Sequence, residues 1–179
     1  MRPEPWRVFV RIGVLLAGTV FGFVLLQDRM RALETATTVD VLHLLGAGSV
    51  SRGYQASIVI GTGSHGTFAA VLTAPCSSLA SLLALAGLAV LRPTAARGRL
   101  ALAVAAALAL VFLGNIVRIT ASVGVGLLVG PSALVLFHDW VGSLFAFAYT
   151  LGGFLLMLWF LLPRDGVALE ELCVPGGAL

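Results

Sequence analysis

The sequence contains no lysine and carries little charge of either sign. Charged residues make up 11% of its 179 residues and hydrophobic residues 59%, with a mean hydropathy of +1.05. Soluble domains usually carry about a quarter charged residues, so this composition excludes an ordinary soluble domain and indicates a membrane protein. The net charge of +3 comes without a basic patch on a soluble face, and it therefore gives no support for nucleic-acid binding.

Four apolar stretches have the length that a membrane span requires. A hydrocarbon core of about 30 Å needs roughly 20 apolar residues per helix. No small-residue cleavage site follows the first stretch, so we expect it to stay as an anchor and not to be removed as a signal peptide. The sequence predicts an all-α, multi-pass membrane protein with about four transmembrane helices, forming a single integral membrane domain over residues 1–179. The predicted spans are residues 8–26, 75–91, 100–129 and 134–162.

The arginines predict how the chain is oriented, because basic residues near span ends are retained on the cytoplasmic side. With four spans, most of the arginines fall on one side of the membrane, at both termini and in the short loop after the second span. We therefore expect a protein of the cell (inner or plasma) membrane with both termini cytoplasmic, an extracytoplasmic segment at 27–74 and a cytoplasmic tail at 163–179. The arginines of that face are Arg2, Arg7, Arg11, Arg92, Arg97, Arg99 and Arg164.

Cysteine is scarce as well, with only Cys76 and Cys173. The predicted topology puts them on opposite sides of the bilayer, so a disulfide cannot join them and Cys76 is a free thiol. Pro75 suits the first position of a helix, and it predicts that Cys76 lies in the first helical turn, where the helix dipole favours a thiolate. The alternative is that Cys76 is only a small buried residue.

The segment before Cys76 has two parts. "MRALETATTVDVLHLLG" reads as a helix near the interface that ends at Gly46, and the sequence after it reads as a small β-hairpin around a glycine-rich turn at 61–66. The apolar residues that would face the membrane or the protein are Leu33, Val41, Leu42, Leu44 and Leu45. His43 and His65 are expected to be surface loop residues and not catalysts.

Two more candidates lie in later spans. Asn115 and Arg118 share a helix face in "GNIVRI", and His138 shares one with Gly142 in "FHDWVG". An arginine can snorkel to the interface as an anchor, and a histidine can be structural. However, the predicted topology puts Cys76, Arg118 and His138 toward the outer face. A nucleophile, a cation and a titratable base at one level favour acyl transfer through a thioester.

These motifs, "PCSSL", "GNIVRI" and "FHDWVG" in this order at span ends, resemble the exosortase and archaeosortase group of membrane cysteine transpeptidases. The resemblance implies that Cys76, Arg118 and His138 are the catalytic residues and that no cofactor is needed. It also implies, as partners, exported proteins with a C-terminal hydrophobic and basic sorting signal, and a membrane lipid or glycan acceptor. The chain departs from the group's usual Cys-Ser-Gly in having Ser78 at the third position.

Two other functions stay open on the sequence. The first is a non-enzymatic membrane scaffold or assembly factor, in which Arg118 pairs with Asn115 or main-chain carbonyls and Cys76 is merely packed. The second is a zinc site made of Cys76, His138 and either Asp139 or His65, although no ligand spacing supports it. Asp139 follows His138 directly and would point elsewhere on a helix, so we do not assign it as an orienting carboxylate.

Overall fold

The computed structural model describes residues 5–62, 66–90 and 97–162 and shows a mostly helical chain with one small antiparallel sheet. Three helices are long and apolar enough to cross a membrane, which confirms the predicted multi-pass membrane fold. The helices are α1 (Pro5–Leu44), α2 (Leu79–Val90), α3 (Arg97–Val129) and α4 (Pro131–Leu161). The strands are β1 (Val50–Arg52), β2 (Ser57–Thr62) and β3 (Gly66–Val71).

Helix α1 is a single helix of 40 residues and not the two helices that the sequence predicted. The polar residues after the first predicted span include no proline or glycine, so nothing in the sequence breaks the helix there. The predicted end at Gly46 is confirmed. Gly46 has a φ of +88°, its N–H donates to His43, and the next N–H donates to Leu42, as in a Schellman cap.

The second predicted span, 75–91, is shorter in the structure. Pro75 and Cys76 belong to a 3-10 turn (Ala74–Cys76), and Ser77 is extended, with its hydroxyl accepting a hydrogen bond from the N–H of Leu79. The prediction that Cys76 lies in the first turn of a long helix was therefore wrong. Helix α2 begins only at Leu79 and has 12 residues, a length of about 18 Å that does not span a hydrocarbon core alone.

The sheet has the order β1-β2-β3 and is antiparallel throughout. Strands β2 and β3 form the predicted hairpin, whereas β1 was not predicted. Ile58 and Ile60 of β2 are completely buried and pack in an apolar cluster with the last turns of α1 and with Ile119 and Val123 of α3. Here the sheet is fixed against the helices that carry the candidate catalytic residues.

Helices α3 and α4 form an antiparallel pair joined by Gly130, whose φ of +110° is open to glycine but disfavoured for other residues. Small residues let the two helices approach closely: a Cβ added to Gly114 would lie 2.7 Å from the side chain of Tyr149. A second apolar cluster joins α2, α3 and α4, with Val111 completely buried. Along α3, the polar residues Asn115 and Arg118 lie between this cluster and the one beneath the sheet.

Candidate active site

The structure brings together the three residues that the sequence singled out. The sulfur of Cys76 lies 3.2 Å from Nε2 of His138. A guanidinium nitrogen of Arg118 lies 3.4 Å from the same Nε2 and donates a hydrogen bond to the carbonyl oxygen of Cys76 at 3.2 Å. A thiol, an imidazole and a guanidinium from three separate parts of the chain thus share one site.

The neighbours of His138 indicate which ring nitrogen is free to take a proton. Arg118 can only donate, so Nε2 of a neutral His138 must be the acceptor in that contact. The other nitrogen, Nδ1, lies 3.5 Å from the hydroxyl of Ser122, and that hydroxyl donates its own proton to the carbonyl of Arg118. Ser122 can therefore only accept from Nδ1–H. Both contacts favour the tautomer whose bare Nε2 faces the thiol.

The surroundings of Cys76 favour its thiolate. The residue lies in the 3-10 turn, outside the long helices, and is half-buried. Burial raises the pKa of the thiol. Hydrogen bonds to His138 and Thr73, together with the charge of His138, lower the pKa by more than burial raises it, so the net result is a fall from 9.0 to about 7. The hydroxyl of Thr73 lies 3.1 Å from the sulfur. A pKa near neutrality makes a substantial thiolate fraction available at physiological pH, as nucleophilic cysteines require.

Arg118 is buried among the helices and does not reach the surface of the protein. Its side chain is 6% exposed, and its aliphatic carbons lie against Gly142, where an added Cβ would be 3.6 Å from Cδ. The buried Nε–H has no hydrogen-bond partner within the described residues. A buried arginine with an unpaired donor is costly to keep, so it marks a candidate functional position.

A comparison with models of known protein families matches most of the chain. The family model described as transmembrane exosortase matches residues 3–161, which includes all three side chains of the site. The chain belongs to the transmembrane exosortase family. No curated protein and no solved structure matches the chain.

Sequence reasoning missed Glu34 of α1, which contacts residues next to the candidate catalytic side chains. This carboxylate is completely buried, and its Oε1 accepts hydrogen bonds from the N–H of Ser78 at 2.8 Å, from the Ser78 hydroxyl at 2.7 Å and from Nδ2 of Asn115 at 2.9 Å. The Asn115 amide also donates to the Cys76 carbonyl at 3.2 Å and accepts from Tyr149. Glu34 thereby links Ser78, which follows Cys76 in the chain, to Asn115, which precedes Arg118 on α3.

Two features of the sequence bear on Glu34. Residues 34, 38 and 42 are buried with four-residue spacing on one face of α1, whereas Leu33, Leu44 and Leu45 from the predicted apolar set are exposed. The buried face begins with a carboxylate and a threonine, so a search for apolar residues does not find it. Ser78, which replaces the group's usual glycine, is 1% exposed and adds the hydroxyl that Glu34 accepts.

Two of the remaining candidates, His43 and Asp139, lie within the described residues. His43 is an exposed residue at the end of α1 that contacts the carbonyl of Val50, so it is not a loop residue but is also not near the thiol. Within the described residues, no three His, Cys, Asp or Glu side chains are grouped so that they could hold a metal ion. Cys76, His138 and Asp139 therefore do not form the zinc site that the sequence left open. His65 and Cys173 lie outside the described residues.

A cavity of about 360 Å³ opens beside the thiol. Cys76 and His138 lie at its wall together with β3, Thr73 and the adjoining parts of α3 and α4. The titratable residues among those that line the cavity are Cys76, His138 and Asp139. The cavity therefore offers a mostly apolar approach to the reactive group.

Proposed function

We propose that this exosortase is a membrane cysteine peptidase and transpeptidase, in which Cys76 is the nucleophile, His138 the general base and acid, and Arg118 the oxyanion donor. The observation that carries the proposal is the 3.2 Å approach of the Cys76 sulfur to Nε2 of His138, with Arg118 within hydrogen-bond distance of both residues. A nucleophile within reach of a base that is itself oriented by other groups is the arrangement that nucleophilic catalysis needs.

The reaction follows from these positions. His138 takes the thiol proton at Nε2, and the thiolate attacks the scissile carbonyl, whose oxygen becomes an oxyanion beside the guanidinium of Arg118. Collapse of this intermediate breaks the C–N bond, and His138 returns its proton to the leaving amine. The acyl group remains on Cys76 as a thioester. An amine or hydroxyl of an acceptor, or water, then gives a proton to His138 as it attacks the thioester, the C–S bond breaks, and His138 returns the proton to the departing thiolate.

The substrates in this proposal are exported proteins with a C-terminal sorting signal made of a hydrophobic helix and a basic end. The acceptor is a membrane lipid or glycan. In this proposal both termini are cytoplasmic and the site faces outward, as the arginine distribution favours; this orientation requires α2 and its flanking residues to cross the membrane as a fourth span. An outward site is the one that exported substrates can reach.

The test compares exported proteins of cells that express the wild type or Cys76→Ala, by intact mass. The expected result is that some proteins lose a C-terminal fragment, with or without an added acceptor mass, only in the wild type. Ser51→Ala, which changes an exposed side chain of β1 that does not line the cavity, is the matched control and should process those proteins like the wild type. Unchanged masses between wild type and Cys76→Ala, with both proteins inserted at equal abundance, would refute the peptidase function and favour a scaffold.

A further inference from the structure

Strand β3 is the edge strand of the sheet, and its free edge can be located from the hydrogen bonds of its other side. The N–H of Leu72 donates to the carbonyl of Ala56 at 2.8 Å. In an antiparallel pair the residues alternate, so Phe68 and Ala70 direct their main-chain groups toward β2. The N–H and C=O groups of the intervening residues point away from β2, and no further strand pairs with them among the described residues. These residues are Thr67, Ala69 and Val71.

The free edge of β3 faces the cavity that contains the thiol. Side chains of successive strand residues point to opposite faces of a sheet, so a cavity on one face would be lined by every second residue. This cavity is lined by six consecutive residues, 68–73, which places it against the edge where the main chain is accessible. The first residues of α4 and the last turns of α3 form the opposite wall.

The same edge leads directly to the reactive group. Strand β3 ends at Val71, and two residues later Thr73 contacts the sulfur of Cys76 through its hydroxyl. From residue 68 to residue 73 an extended chain covers about 17 Å. The open edge and the thiol therefore line the same cavity, and the part of the edge that does so is as long as an extended segment of about five residues.

We propose that the exosortase binds the substrate segment next to the scissile bond as an additional β-strand on the free edge of β3. Main-chain hydrogen bonds to Thr67, Ala69 and Val71 hold the segment extended and deliver its carbonyl to Cys76. The apolar cavity wall, with Asp139 as its one carboxylate, fits an uncharged polypeptide segment. This mode of binding draws its affinity from main-chain groups and its specificity from pockets for alternate side chains. The inference rests on the proposed function for the identity of the polypeptide.

The first test removes one edge donor. Ala69→Pro deletes the N–H that faces the cavity and leaves the N–H groups that bond to β2, and an edge strand tolerates such a proline. Ala69→Val adds similar bulk and keeps the N–H. We expect Ala69→Pro to process the exported proteins at least about tenfold more slowly than Ala69→Val, because a net main-chain hydrogen bond contributes up to about tenfold in affinity and the proline ring also blocks the docked strand. Cys76 should react equally with iodoacetamide in both variants, which shows that the site is intact. Equal processing by the two variants would overturn the proposal.

A second measurement needs neither a folded proline variant nor peptidase activity. A blocked hexapeptide of alternating valine and threonine is added to the purified wild type, and the alkylation of Cys76 by iodoacetamide is followed by mass spectrometry. The peptide should slow alkylation at least about threefold at millimolar concentration, and its fully N-methylated counterpart, which lacks main-chain donors, should not. Equal effects of the two peptides, or no effect of either, would contradict strand addition. This result stands apart from the Cys76→Ala comparison, which decides the proposed function.

Discussion

Replacement of Glu34 tests whether a buried carboxylate fixes the exosortase site. In Glu34→Ala, Asn115 keeps its bond to the Cys76 carbonyl and the Ser78 hydroxyl can rotate, but the Ser78 N–H loses its acceptor. A buried donor without a partner costs about 1 to 3 kcal/mol, and truncation of a fully buried long side chain costs about 2 to 5 kcal/mol more. We expect a loss of at least about 3 kcal/mol, which corresponds to a fall in Tm of about 6 to 12 °C for a chain of this size.

Glu34→Gln is the conservative variant. Its amide oxygen can accept the same three hydrogen bonds, but its NH2 group replaces Oε2, which is buried without a partner within the described residues. The expected loss is about 1 to 3 kcal/mol. Asp40→Ala is the matched control, because Asp40 is an exposed carboxylate on the same helix that pairs with Arg52, and an exposed pair contributes about 1 kcal/mol or less.

The assay follows thermal unfolding in detergent by circular dichroism and the alkylation rate of Cys76 below the transition. The rate reports on the turn that Glu34 holds, and it should change in Glu34→Ala while Asp40→Ala stays like the wild type. If Glu34→Ala unfolds within about 2 °C of the Asp40→Ala control, the reasoning from buried hydrogen bonds is refuted.

Three further predictions concern the remaining site residues and the topology. The alkylation rate of Cys76 should rise with pH and reach half of its maximum near pH 7, because the thiolate is the reactive form and predominates above the lowered pKa. His138→Asn should move this midpoint to a higher pH, whereas a wild-type midpoint near pH 9 would contradict the contacts of Cys76 with His138 and Thr73. Arg118→Lys should insert at normal abundance but process its targets at least about 100-fold more slowly, because an ammonium cannot reproduce the directions of a guanidinium, whereas turnover within a few-fold of wild type would make Arg118 an anchor. An impermeant thiol reagent added to intact spheroplasts should label Cys76 and not Cys173, and labelling of Cys173 alone would invert the proposed orientation.

The sequence was sufficient for the features that depend on local patterns. The apolar runs predicted long helices, Gly46 predicted the end of α1, and the span ends predicted that Cys76, Arg118 and His138 lie at one level, where the structure brings them together. Their roles in catalysis stay a proposal. What the sequence did not predict depends on distant contacts: Glu34 is 44 residues from Ser78 and 81 from Asn115, and a carboxylate within an amphipathic stretch normally indicates a solvated face.

The predicted start of the second helix, at Pro75, was wrong, and the reason lies in the residues around Pro75. Proline is favoured at the first position of any helical turn, and the sequence gives no sign that the turn at Pro75 is a 3-10 turn of three residues followed by an extended serine. Two serines after Cys76 then provide hydrogen bonds that end one turn and begin the next helix. Ser77 and Ser78 thus decide where the thiol lies relative to α2.

The length of α3 has a consequence for the depth at which the thiol would lie in a membrane. About 31 Å along the helix separate Arg97 from Arg118, nearly the thickness of the hydrocarbon core, and α3 continues for about 16 Å beyond Arg118. If Arg97 lies at one boundary of the lipid tails, this length puts Arg118 and the neighbouring Cys76 near the other boundary. Under the proposed function, the position of cleavage would then be set by a distance from the lipid surface, and we expect that lengthening a substrate's hydrophobic helix by one turn moves the cut along the chain even when the sequence around the cut is unchanged.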